Sequence, residues 1–247
     1  MQSSLSIDHF LDGRLVIRQP RVGYRAGSDP IFLAAAVPAK AGETVLDLGC
    51  GVGTASLCLL RRCPGLQVTG LDIQAELLDL ARLNAAENHL DDAFTVIQGC
   101  MTQTPSPVPC HHFHHVITNP PWYPPGSIQP PTAPSKAIGH MEEVSLDQWL
   151  HQAVRFLRPR GRLTVVHRAD RLGDIIAALH PLTVGEICIH PLWPKSGRDA
   201  SRVVVTARKD VKTPLRLCGG LLLHHDDGSY TPQAETILRN GGGLIFS

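Results

Sequence analysis

The stretch Thr44-Val45-Leu46-Asp47-Leu48 runs straight into Gly49-Cys50-Gly51-Val52-Gly53 and then into Thr54 to Arg62, a segment of helical composition. A short apolar run, a glycine turn and a helix, in that order, read as strand, turn and helix. Glycines at alternate positions also let another molecule approach the backbone where the strand enters its helix, since side chains there would collide with it. In open α/β sheets such ligands bind beyond the carboxyl ends of the strands.

The rest of the chain repeats the alternation. Gln67 to Leu71 reads as a second strand, followed by a helix from Ala75 to Asn88 with Leu77, Leu78, Ala81 and Ala85 at helical spacing. Phe94 to Ile97, His115 to Thr118 and Arg162 to Val166 read as the third, fourth and fifth strands. Ser145 to Leu157 is expected to be a helix opened by a capping box of Ser145 and Gln148, with Leu146, Trp149, Leu150, Ala153 and Leu157 on its inner face. Asp170 to His180 is helical, and Gly185 to His190 and Arg202 to Ala207 are strands. Only Pro191 to Ser201 lies between those two strands, too short for a parallel crossover, so they should pair as an antiparallel hairpin. The class is α/β, a doubly wound and mostly parallel sheet covered on both faces. Met101 to His112 and Pro124 to His140 are proline-rich and irregular, and Leu215 to Ser247 carries no assigned element.

Composition narrows the function classes. At 247 residues the chain can form a single domain over residues 1–247. No run of about 18 uncharged apolar residues is present, so no membrane span is expected. Met1 to Phe10 lacks a basic head followed by an apolar run, so no signal peptide is expected. Seven scattered cysteines without a CxxC pair favour a reducing cytoplasm. The net charge of +1 does not announce a nucleic-acid binder. The arginines and lysines nevertheless fall in groups: Arg14 to Arg25, Arg155 to Arg171, and Lys195 to Lys212. Brought to one rim, some of them would bind phosphates; otherwise they are solvated surface charge.

The first chemistry lies at the strand ends. The Gly49-x-Gly51-x-Gly53 spacing is tighter than the GxGxxG of dinucleotide enzymes, whose third glycine helps a pyrophosphate meet a helix. Asp72 closes the second strand within Gly70-Leu71-Asp72-Ile73 and can accept hydrogen bonds from both hydroxyls of a ribose. Its bland alternative is a cap for the helix that follows. Val45 to Gly53 closely resembles the first motif of class I S-adenosylmethionine (SAM)-dependent methyltransferases of the small-methyltransferase type, and Gly70-Leu71-Asp72 resembles their second. The resemblance implies seven strands, SAM as cofactor, Asp47 near the methionine moiety and Asp72 on the ribose. It implies a cofactor set of Asp47, Gly49, Cys50, Gly51, Gly53, Asp72, Ile73, Cys100, Met101 and Asn119. Many relatives carry an Asp where this chain has Cys100, so a backbone amide of Cys100 or Met101 takes over the adenine contact.

The second chemistry follows the fourth strand. Asn119-Pro120-Pro121-Trp122 cannot continue a sheet ladder, and the prolines hold the chain extended. The Asn119 carboxamide and the Pro120 carbonyl can together accept both protons of an NH₂ group, and Trp122 offers a face on which a planar base stacks. Read structurally, the same residues are a loop turn. Asn119, Pro120, Pro121 and Trp122 resemble the fourth motif of amino-directed methyltransferases, and Tyr123, Lys136 and His140 are candidate substrate contacts downstream. Phe10-Leu11-Asp12-Gly13-Arg14, Gln19-Pro20 and Gly23 to Asp29 are similar to the start of the bacterial transfer-RNA(Val) adenine-N6 methyltransferase family, which usually carries Tyr at the place of Trp122. That resemblance implies an RNA substrate, with residues 1–40 an extension whose Tyr24 to Asp29 covers the cofactor and whose helix follows.

Cys110-His111-His112-Phe113-His114-His115 invites a metal reading, but neighbours on a strand point to opposite faces, and no metal is expected. Glu142 and Glu143 read as solvated residues before a helix. Three readings stand: adenine-N6 methylation of RNA, the same chemistry on a protein glutamine or guanine N2, and an RNA-binding module without turnover.

Overall fold

A computed structural model describes residues 5–23, 25–121 and 144–244. β1 (Leu5–Phe10) and β2 (Leu15–Pro20) form an antiparallel hairpin, followed by α1 (Asp29–Ala35). β3 (Thr44–Leu48), α2 (Thr54–Arg62), β4 (Gln67–Asp72), α3 (Ala75–Glu87), β5 (Phe94–Gln98) and β6 (Phe113–Thr118) come next. After α4 (Leu146–Phe156), β7 (Leu157–Arg168) and α5 (Leu172–Leu179) come β8 (Val184–Trp193) and β9 (Arg202–Lys209). The chain ends in β10 (Arg216–Leu217), β11 (Leu221–Leu222) and α6 (Pro232–Asn240).

The main sheet has the order β10-β8-β9-β7-β6-β3-β4-β5, with β11 also on β8. β3, β4, β5, β6 and β7 are mutually parallel, and β9 runs antiparallel between β7 and β8, as the short connection required. To the expected seven strands the tail adds two short ones on the outer edge. Alternation places Val45, Ile117, Val166 and Val204 against α1 and α2, and Leu46, Val116, Val165 and Val205 against α4 and α5. The sheet is thus buried on both faces, the reason its strands read as continuous apolar runs rather than alternating ones.

The N-terminal hairpin was not legible as strands. Its free edge is paired by asparagines of α3: Asn84 Oδ1 accepts from Arg18 N at 2.8 Å and Asn88 Oδ1 from Val16 N at 2.9 Å, while their amides donate back to the Arg18 and Val16 carbonyls. Two carboxamides one helical turn apart match alternate residues of the strand and complete its ladder. The Asp12-Gly13 turn between buried Phe10 and Leu15 is the local signal for this hairpin.

Candidate functional site

Strand order sets the location. From β3 the chain winds outward through β4 to β5, then returns to lay β6 on the other side of β3. The crevice at such a reversal, beyond the carboxyl ends, is where sheets of this class take ligands. Here the glycine turn after β3 and the Asn119-Pro120-Pro121 turn after β6 leave the sheet side by side, since Leu48 is in register with Thr118. The Thr118 hydroxyl donates to the Leu48 carbonyl at 2.7 Å and accepts the Trp149 indole N–H at 2.8 Å. One buried hydroxyl therefore joins both turns and α4.

The glycine turn is held by its neighbours. Gly49, Gly51 and Gly53 all have positive φ, where side chains are strained. A Cβ on Gly49 would sit 2.8 Å from the Trp149 ring and one on Gly53 2.8 Å from the Phe94 ring, whereas one on Gly51 would meet nothing within 4 Å. Gly49 and Gly53 serve close packing, and a Cβ on Gly51 would have room. Asp72 accepts from Gly51 N and from Gln74 N, each at 2.9 Å, fastening the end of β4 to the turn. The capping role weighed from sequence is not what Asp72 performs: the N-cap of α3 is Gln74, and the bond from Gln74 N closes a turn just before the helix.

Asp47 faces α2, where the Ser56 hydroxyl donates to it at 2.7 Å. Burial pushes its carboxyl up to about 7, and the nearby Asp72 adds to the rise. Burial also raises Asp72, against the opposing pull of its backbone hydrogen bonds. The Cys50 thiol is buried and pushed up, which leaves it a packing group rather than a nucleophile. Two acids destabilised as anions and set a strand apart suit a cationic ligand, whose charge would favour their ionised forms.

Gly49, Asp72, Ile73, Cys100 and Met101, named from sequence, line one cleft. Leu71, Gly99, Val144 and Trp149 line it too and were not singled out. Trp149 was assigned to the inner face of its helix, and a local pattern does not separate a core tryptophan from one that floors a cleft. Asp72 is the acid of this mostly apolar cleft, while Asp47, Cys50, Gly51, Gly53 and Asn119, also named from sequence, are not among the residues that line it. On the acceptor side, Asn119 is half-buried, Pro120 buried and Pro121 exposed. Trp122, Tyr123, Lys136 and His140, like Tyr24, Glu142 and Glu143, lie outside the described residues.

The basic groups do not form one rim. Arg162 and Arg208 share Glu186 at the amino end of β7, far from the site, while Arg168 and Arg202 are paired in register at its carboxyl end. Arg18 and Arg25 are engaged with Glu87 and Asp8. The histidine run diverges: His115 meets Glu43 at 2.9 Å, His114 the Thr44 hydroxyl at 2.9 Å, and His111 the Lys209 ammonium at 2.8 Å.

Comparison with known proteins gives this geometry its chemistry. The model of the methyltransferase small domain family matches residues 26–174. A tRNA1(Val) (adenine(37)-N6)-methyltransferase from Porphyromonas gingivalis is 30% identical over 174 residues, 68% of each chain. One from Aeromonas hydrophila is 26% identical over 216 residues, 85% of this chain and 87% of that one. Among solved structures, a predicted O-methyltransferase from Agrobacterium tumefaciens superposes with a TM-score of 0.73 at 26% identity, over 88% of this chain and 98% of that one. A glycine turn beside two buried acids, at the reversal of a sheet shared with methyltransferases, thus has a family: the chain belongs to the methyltransferase small domain family and is a SAM-dependent methyltransferase.

Proposed function

We propose that this enzyme methylates the exocyclic amine of an adenine in RNA, with transfer RNA as the substrate and the cytoplasm as its place of work. The observation that carries the reading is the Asn119-Pro120-Pro121 turn leaving β6 in register with the end of β3. The named relatives act on adenine N6 of a transfer RNA, which supports the same acceptor class.

SAM supplies an activated methyl group on a sulfonium. Asp47 holds the amine of its methionine part and Asp72 its ribose, with Gly49, Gly51 and Gly53 allowing close approach and Ile73, Cys100 and Met101 enclosing the base. The Asn119 carboxamide oxygen and the Pro120 carbonyl accept the two N–H bonds of the adenine amine. That orientation points the nitrogen lone pair away from the ring plane and toward the methyl donor. A C–N bond forms as the C–S bond breaks, and the extra proton leaves the nitrogen for solvent afterwards. Orientation in a water-poor crevice carries the rate, so no strong general base is needed. Trp122 is assigned the stacking role by sequence, with Tyr123, Lys136 and His140 beside it.

Tritium transfer from labelled SAM to purified transfer RNA, ribosomal RNA and release-factor protein tests the reading, with nucleoside mass spectrometry of the product. N6-methyladenosine in transfer RNA is the expected result. Label in protein glutamine or in guanine N2 would replace the acceptor, and no label in any pool would favour an RNA-binding role without turnover.

A further inference from the structure

Asn84 does more than pair the N-terminal hairpin. Its side chain is buried on α3 and makes three hydrogen bonds. The oxygen accepts from Arg18 N at 2.8 Å, and Nδ2 donates to the Arg18 carbonyl and to the Val52 carbonyl, each at 3.0 Å. Val52 belongs to the glycine turn, one residue before Gly53, the N-cap of α2, so its carbonyl falls outside the ladder of that helix. Three residues before Asn84, on the same side of α3, Ala81 also meets the turn: a Cβ on Gly53 would lie 3.4 Å from that of Ala81. Asn88 is the contrast. Its bonds go to the Val16 N–H, the Val16 carbonyl and the Asn84 carbonyl, and none of these three reaches the glycine turn.

We propose that Asn84 is a positioning residue of the cofactor site: by holding the Val52 carbonyl it keeps the glycine turn in the shape that receives SAM. This rests on the cofactor placement proposed above and on no property of the acceptor. Three glycines leave residues 49–53 many alternative shapes, so the turn keeps one of them only when held from outside. Asp72 holds Gly51 N from the end of β4, and Asn84 holds the carbonyl of the next residue from α3. A ligand that meets a turn already shaped spends no binding free energy on ordering it. Because the same carboxamide pairs with Arg18, the N-terminal hairpin becomes part of that support. An asparagine that served the hairpin alone would, when lost, lower stability and leave SAM affinity untouched.

The test measures SAM binding to the full chain by calorimetry, with the Tm of each variant. Asn84→Ala should weaken SAM binding about ten-fold, the scale of one lost hydrogen bond together with a turn that must be ordered on binding. Asn88→Ala also cuts two bonds to the hairpin, so it should lower Tm to a similar degree while SAM affinity stays within about three-fold of the parent. SAM affinity in Asn84→Ala within about three-fold of the parent overturns the proposal, as does an equal loss in Asn88→Ala, which would mark general loosening. Should Asn84→Ala fail to fold, Asn84→Leu, which keeps the branched shape and fills the space, is read by the same criteria. Asp72→Ala separates the two readings. If it binds SAM as the parent does, the cofactor placement falls, while the contrast between Asn84 and Asn88 still upholds or overturns the support of the turn. If it binds weakly and Asn84→Ala does not, the proposal for Asn84 falls alone.

Discussion

At the ends of β3 and β4 the molecule buries two carboxylates, Asp47 and Asp72, whose burial raises both. One strand away, at the ends of β6 and β7, the buried polar groups are neutral: the Thr118 hydroxyl, the Trp149 indole and the His167 imidazole. Under the function proposed above, the difference follows the charge of what each half receives. A cationic cofactor is favoured by anions that are costly when alone and relieved when paired. An amine must keep its lone pair unprotonated, so carbonyl and amide oxygens that orient it without a formal charge serve better than an acid. On that proposal the cofactor half selects by electrostatics and the acceptor half by geometry.

That contrast can be broken most sharply at Asn119. Replacing it with Ala should cut single-turnover methyl transfer by about 10²–10³-fold, the range for loss of one group aimed at a reacting centre, while SAM binds within a few-fold. Near-normal turnover would take Asn119 out of the acceptor half. On the other side, Asp72→Ala should weaken SAM binding by about 1.5–3 kcal/mol, as for hydrogen bonds to a charged group. Calorimetry giving an unchanged dissociation constant would refute the ribose contact. Asp72→Ala also releases Gly51 N and Gln74 N, so a lower Tm should accompany the loss.

A third outcome concerns pH. The Asp47 carboxyl is raised from 3.8 to about 7, so the folded protein without cofactor holds this proton more tightly than the unfolded chain does. Its contribution to stability is full below the unfolded value and is lost as pH rises through about 7. Cofactor binding has the opposite slope, because a cationic amine prefers the ionised acid. SAM affinity should fall by up to about ten-fold per pH unit below 7, and Asp47→Asn should flatten the profile. A parent profile already flat between pH 8 and 6 would place the amine elsewhere. The smallest effect is expected from Trp149→Phe, which removes the indole N–H from Thr118 and should cost about 0.5–1.5 kcal/mol in urea unfolding. A larger loss in turnover than in stability would show that this bond aligns the two turns.

Elements with strong local chemistry were readable in advance. The β3 run with its glycines, α3, and α4 with its Ser145–Gln148 box all begin within about two residues of where pattern and capping put them. β7 is longer than read, since Arg158 and Arg160 broke its apolar run while pairing continued from Leu157. The hairpin escaped because half its ladder belongs to a helix: Asn84 and Asn88 lie 66 and 72 residues from the strand they complete. The tail escaped because its strands are two residues each and borrow their pairing from β8.

For the site, sequence alone determined the components: a glycine turn, an acid at each of two strand ends, and an amide followed by prolines. Each is a local arrangement within about ten residues, where backbone restrictions and side-chain chemistry act directly. Tertiary structure decided their alignment. Leu48 meets Thr118 across 70 residues, and Trp149 meets Thr118 across 31. Such partners are chosen by strand order, and strand order follows from burying both faces of a sheet at once, a property of the whole chain with no signature in any one stretch of it.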